Sequence, residues 1–61
     1  MNPTEARSVR LHVLSKLVKR LDEDGKTNQE IVDAVRKRAY QMAAPTTAEG
    51  YVKEIIRRFT K

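Results

Sequence analysis

The chain has no cysteine and no tryptophan, a single histidine, and only two glycines and two prolines. Without thiols it can form neither a disulfide nor a thiolate zinc site, and one histidine cannot stand in for them. So sparse a glycine content also leaves no phosphate-cradling glycine loop. No apolar run approaches the roughly 18 residues that a membrane span needs, and no apolar h-region follows the N-terminus. These absences argue against a metal, a cofactor, a small-molecule substrate and a membrane role, and the expected location is the cytoplasm.

What the chain does have is charge. Of its 61 residues, 13 are Lys or Arg and 8 are Asp or Glu, a net charge of +5. The excess is uneven. Residues 1–25 hold five bases and four acids, net +1, whereas residues 26–61 hold eight bases and four acids, net +4. A basic surface favours polyanions, of which nucleic acid is the commonest in a cell, although the same excess also serves plain solubility. The length suits one domain, and a domain this small buries only about 60% of the surface its unfolded chain exposes. Close helix packing, a partner, or both must therefore hold it together.

Three segments carry helical periodicity behind a start signal, predicting helices at about 3–23, 28–43 and 47–60. In the first, Asn2 can cap, Pro3 suits the first helical position, and Glu5 stands where a capping carboxylate belongs. Ala6, Val9, Val13, Leu14, Leu17 and Leu21 recur on one side, with Leu11 and Val18 at its edge. Asp22-Glu23-Asp24-Gly25 ends it, since Gly25 can take the left-handed conformation. Thr27-Asn28-Gln29-Glu30 is a Thr-x-x-Glu capping box, followed by an apolar side of Ile31, Val32, Val35, Ala39, Met42 and Ala43. Pro45 prevents that helix from continuing. Thr46-Thr47-Ala48-Glu49 reads as a further capping box before Ala48, Tyr51, Val52, Ile55, Ile56 and Phe59, the cleanest amphipathic stripe in the chain. With no strand alternation and short connections, the expected architecture is an all-α compact three-helix bundle.

The charges can be placed on these faces. Opposite its apolar stripe, the third helix centres on Gly50, Arg57 and Lys61, flanked by Lys53 and Thr46 on one side and by Thr47, Glu54 and Arg58 on the other. Short polar groups at a helix start, with cations beyond, suit a nucleic-acid groove. The competing interpretation is a solvated face laced with Glu49–Lys53 and Glu54–Arg58 pairs. Gly50, in a helix interior, costs about 1 kcal/mol relative to alanine, which is tolerable where another backbone must approach. On the second helix, Arg36 and Lys37 could brace a phosphate backbone, Lys37 could equally pair with Asp33, and Tyr40 is either a partly covered ring over the first helix or an exposed anchor. Arg10 falls mid-way across the apolar side of the first helix. Either its stem runs along the core or, with Leu11 and Val18, it marks a protein interface.

Residues 11–35 resemble the opening of a helix-turn-helix domain, especially the LuxR-type module of bacterial response regulators. They run from Leu14 through an acidic-to-glycine break to Thr27-Asn28-Gln29-Glu30-Ile31, then Val32 and Val35; that family's second helix commonly starts with a similar Thr-Asn-x-Glu-Ile stretch. Thr47 with Val52, Ile55 and Ile56 is similar to its recognition helix. The resemblance implies a three-helix bundle of helix-turn-helix type, without a wing, whose third helix enters the DNA major groove with Thr46, Thr47, Gly50, Lys53 and Arg57 facing it. The stretch from Ile31 to Thr47 exceeds the family's spacing by more than a helical turn, which implies an extended second helix.

Glu5, Ser8 and His12 share one side of the first helix, but a convex helix surface supplies no pocket, no oxyanion donors and no shelter from water, so catalysis is not expected. Asp22-Glu23-Asp24 lacks the ligand spacing of a calcium loop. The leading expectation is a binding protein for double-stranded DNA, nucleoid-associated and of the kind that regulates transcription, with a homodimer or a larger protein as further partners. The alternatives are an accessory subunit docked on a nucleic-acid-handling machine through Leu11, Val18 and Tyr40, and an RNA-binding, ribosome-associated protein.

Overall fold

A computed structural model describes residues 2–59, and Lys61 of the expected basic face lies outside the described residues. The described chain forms three helices, α1 (Pro3–Glu23), α2 (Asn28–Met42) and α3 (Pro45–Phe59), packed as a compact bundle 35 × 20 × 18 Å in extent. There is no strand among the described residues.

The helix ends show how local chemistry sets these bounds. At the start of α1, the side chain of Asn2 accepts from the Glu5 backbone N–H at 2.8 Å. At its end, Gly25 adopts φ +79, Lys26 N–H donates to the Leu21 carbonyl and Gly25 N–H to that of Asp22, which together make a Schellman closure. The Thr27–Glu30 capping box is present in both directions, each at 3.2 Å. The third start differs from the sequence expectation. α3 begins at Pro45, two residues earlier than 47, and the first helical bond runs from Ala48 N–H to the Ala44 carbonyl at 2.8 Å. Proline needs no partner for its missing N–H and its φ is already helical, so it takes the first helical position ahead of the Thr46-Thr47 signal.

The core consists of Leu11 and Leu14 from α1, Ile31, Val35 and Ala39 from α2, and Ala48, Tyr51, Val52 and Ile55 from α3. Leu14, Ile31, Val35 and Val52 are the largest fully buried side chains, each contributing about 1.5–3 kcal/mol of transfer free energy. Leu17, Val18, Leu21, Met42, Ala43, Ile56 and Phe59 close around them. The stripes of α2 and α3 face inward as their periodicity indicates. α1 does not follow its expected stripe. Leu11, at 3% exposure, is core, whereas Val9 is 50% exposed and Val13 only half-buried. The buried side is thus turned roughly 60° from the one expected, towards Leu11 and Val18. Leu11 is therefore too buried to serve as an interface residue, whereas Val18 packs against the core and stays half-buried.

Candidate nucleic-acid interface

Burial of Ala48, Tyr51, Val52 and Ile55 fixes the rotation of α3 and leaves Thr46, Thr47, Gly50, Lys53, Arg57 and Arg58 exposed. Thr46, Gly50, Lys53 and Arg57 follow one another along the side opposite the core. Thr47 and Arg58 turn towards α1, where Thr47 lines one groove with Arg7 and Arg10, and Arg58 another with Ser15 and Lys19. A Cβ added to Gly50 meets nothing within 4 Å, so packing inside the molecule does not demand a glycine there.

The arginines of this region are held by two carboxylates. Glu54, with its side chain only 17% exposed, accepts from Arg57 at 2.9 and 3.0 Å and from Arg58 at 3.2 Å, and pairs with Arg7 across the α1–α3 junction at 3.8 Å. The Arg57 hydrogen bonds are the main reason its carboxyl lies below the usual range. The expected Glu54–Arg58 pair is therefore present, but as one arm of a three-arginine cluster. Glu49, by contrast, accepts from the Tyr40 hydroxyl at 2.6 Å and from Arg36 at 3.1 Å. Its carboxyl is lowered chiefly by the Tyr40 bond, and the Tyr40 hydroxyl is raised by the same contact.

These contacts place α2's candidates differently. Arg36 is drawn to α3 through Glu49. Lys37 stands on the side of α2 opposite Ile31, Val35 and Ala39, away from that junction, so the structure does not bring it together with the α3 cations. Its expected partner Asp33 accepts from Gln29 instead, at 2.8 Å. Tyr40 is 47% exposed and leans on α3, not over α1, with its hydroxyl already committed to Glu49. Arg10 is half-buried, and its guanidinium donates to the hydroxyl of buried Tyr51 at 3.2 Å, an internal tie between α1 and α3.

Sequence pattern alone did not single out Arg7, Glu54 as a cluster centre, or the Arg10–Tyr51 pair. Arg10 carried a signal: a tyrosine within a buried stripe needs a hydroxyl partner, and an arginine in the middle of a facing apolar side can supply it. Arg7 and Glu54 are 47 positions apart with no local pattern joining them. Glu5, Ser8 and His12 lie exposed on α1. Among the described residues no group of three metal-binding side chains comes together, and no helix is long and apolar enough to cross a membrane. No family model, curated protein or solved structure matches the chain.

Proposed function

We propose that this chain is a non-catalytic binder of double-stranded DNA, acting in the manner of a helix-turn-helix protein with α3 as the recognition helix. One observation carries the proposal: α3 buries Ala48, Tyr51, Val52 and Ile55 and exposes Thr46, Gly50, Lys53 and Arg57. Short side chains thus stand over the first turns, where a base edge can come close, and cations stand over the later turns, where they can take phosphates. Arg58 and Arg36 widen the positive border on either side. Nothing in the core requires Gly50, which fits a close external approach at that point.

The test is an electrophoretic shift experiment with duplex DNA, single strands and structured RNA in competition. Duplex DNA is expected to compete best. Preference for structured RNA would transfer the same face to the RNA-binding alternative, and absence of any shift at low salt would remove the proposal. Docking on a larger nucleic-acid-handling protein is supported by a different feature, the 50% exposed Val9 beside half-buried Val13 on α1. Light scattering separates the two, since a stable monomer that shifts DNA does not need such a partner.

A further inference from the structure

We propose that Arg7 and Arg10 of α1 form a clamp for the phosphodiester backbone of the duplex that lies across α3. This rests on α3 being a DNA-binding face, and it adds a second helix to the contact surface. Arg7 and Arg10 sit one turn apart and face Thr47, Gly50 and Tyr51 across an open groove between the first turns of α1 and α3. Two arginines and no acidic residue line that groove, with Glu54 3.8 Å from the Arg7 head, so its charge complements an anion.

The two arginines are held in different ways. The Arg10 guanidinium gives one N–H to the Tyr51 hydroxyl at 3.2 Å, and because Tyr51 is buried the bond positions the head while leaving the other donors of the fork open. Arg7 has a side chain 54% exposed and reaches Glu54 at 3.8 Å, an ion pair too long for a hydrogen bond, so its donors remain available to a phosphate. On the facing wall, Thr47 adds a hydroxyl, and Gly50 presents bare backbone with open space where a side chain would stand. Gly50 also belongs to the outward face of α3. A strand whose bases meet Thr46 and Gly50 would therefore carry its sugar-phosphate backbone over Arg7 and Arg10. Guanidinium forks suit such a site because they match phosphate oxygens in pairs.

Fluorescence anisotropy with labelled duplexes of several sequences, across a range of salt, tests the clamp. Replacing both arginines (Arg7→Gln with Arg10→Gln) should weaken binding equally on every sequence. It should also flatten the plot of log K against log salt by about one for each phosphate no longer neutralised. Arg10→Lys, which keeps a cation beside Tyr51, should recover part of the affinity. Circular dichroism shows whether the double variant is folded. If removing the Tyr51 bond unfolds it, Arg7→Gln alone carries the test and must flatten the slope by about one. A folded variant with wild-type slope and affinity, alongside a flattened slope for Lys53→Ala with Arg57→Ala, overturns the clamp and leaves the α3 interface standing. Wild-type slopes for both sets overturn the two together.

Discussion

The Tyr40 hydroxyl donates to a carboxylate oxygen of Glu49 at 2.6 Å, joining the exposed side of α2 to the first turns of α3. Arg36 meets the same carboxylate at 3.1 Å, so a cation and a phenol on one helix share one acid on the next. The connection between α2 and α3 is only Ala43 and Ala44, and this cross-link sits close to it, where it restrains the angle at which α3 is presented. Tyr40→Phe keeps the ring and removes the bond. A small fall in the urea midpoint is expected, with α-helical content unchanged by circular dichroism; an unchanged midpoint would show that the bond contributes nothing measurable.

Gly50→Ala should separate stability from binding. Alanine is favoured over glycine within a helix by about 1 kcal/mol, and the added methyl meets nothing within 4 Å. The variant should melt higher than the wild type and yet bind duplex DNA more weakly, because the methyl occupies space reserved for the partner. Unchanged affinity in the stabilised variant would mean that no backbone approaches there.

Glu54 neutralises arginines on the face that is proposed to meet DNA. A phosphate must draw Arg57 and Arg58 away from hydrogen bonds of 2.9 to 3.2 Å. Glu54→Gln removes one negative charge and spares the cost of breaking these bonds, so affinity for duplex DNA should rise. Weaker binding would instead assign Glu54 the task of holding the arginines in a productive arrangement.

The same carboxylates set the response to acid. Glu30, Glu49 and Glu54 all titrate below the ordinary carboxylate range in the folded chain, owing chiefly to the Thr27 backbone N–H, the Tyr40 hydroxyl and Arg57 respectively. A lowered folded value means stability that is fully present above the ordinary range and lost as pH falls through the lowered one. Urea midpoints should therefore drop between neutral pH and the region below ordinary carboxylate titration, and Glu54→Gln should drop less. Tyr40 has the opposite sign: its raised value stabilises the fold below ordinary tyrosine titration, and this is lost as pH rises through the raised value.

Much of this architecture is legible in the residues themselves. Asn2, Pro3, Thr27, Glu30 and Gly25 announce helix ends through chemistry that acts within a few positions, and the stripes of α2 and α3 have polar neighbours that define them. α1 is different, because Val9 and Val13 compete with Leu11 and Val18 for the inner side, and only packing against α2 and α3 decides between the two sets. At the start of α3 two local signals overlap, and Pro45 prevails while Glu49 is taken by Tyr40 and Arg36. The outward face Thr46-Gly50-Lys53-Arg57 could be drawn from periodicity alone. Which acids restrain its cations could not, since Glu54 finds Arg7, and Glu49 finds Arg36, only when separate helices pack.

The salt dependence of duplex binding tests the α3 interface most directly. Lys53, Arg57, Arg58 and Lys61 acting on phosphates give a slope of log K against log salt of about −3 to −4, steeper by about one for each of Arg7 and Arg10 that joins them. Lys53→Ala with Arg57→Ala should flatten the slope by about two while the helices stay folded. Binding indifferent to salt, or a double variant with the wild-type slope, would contradict the account.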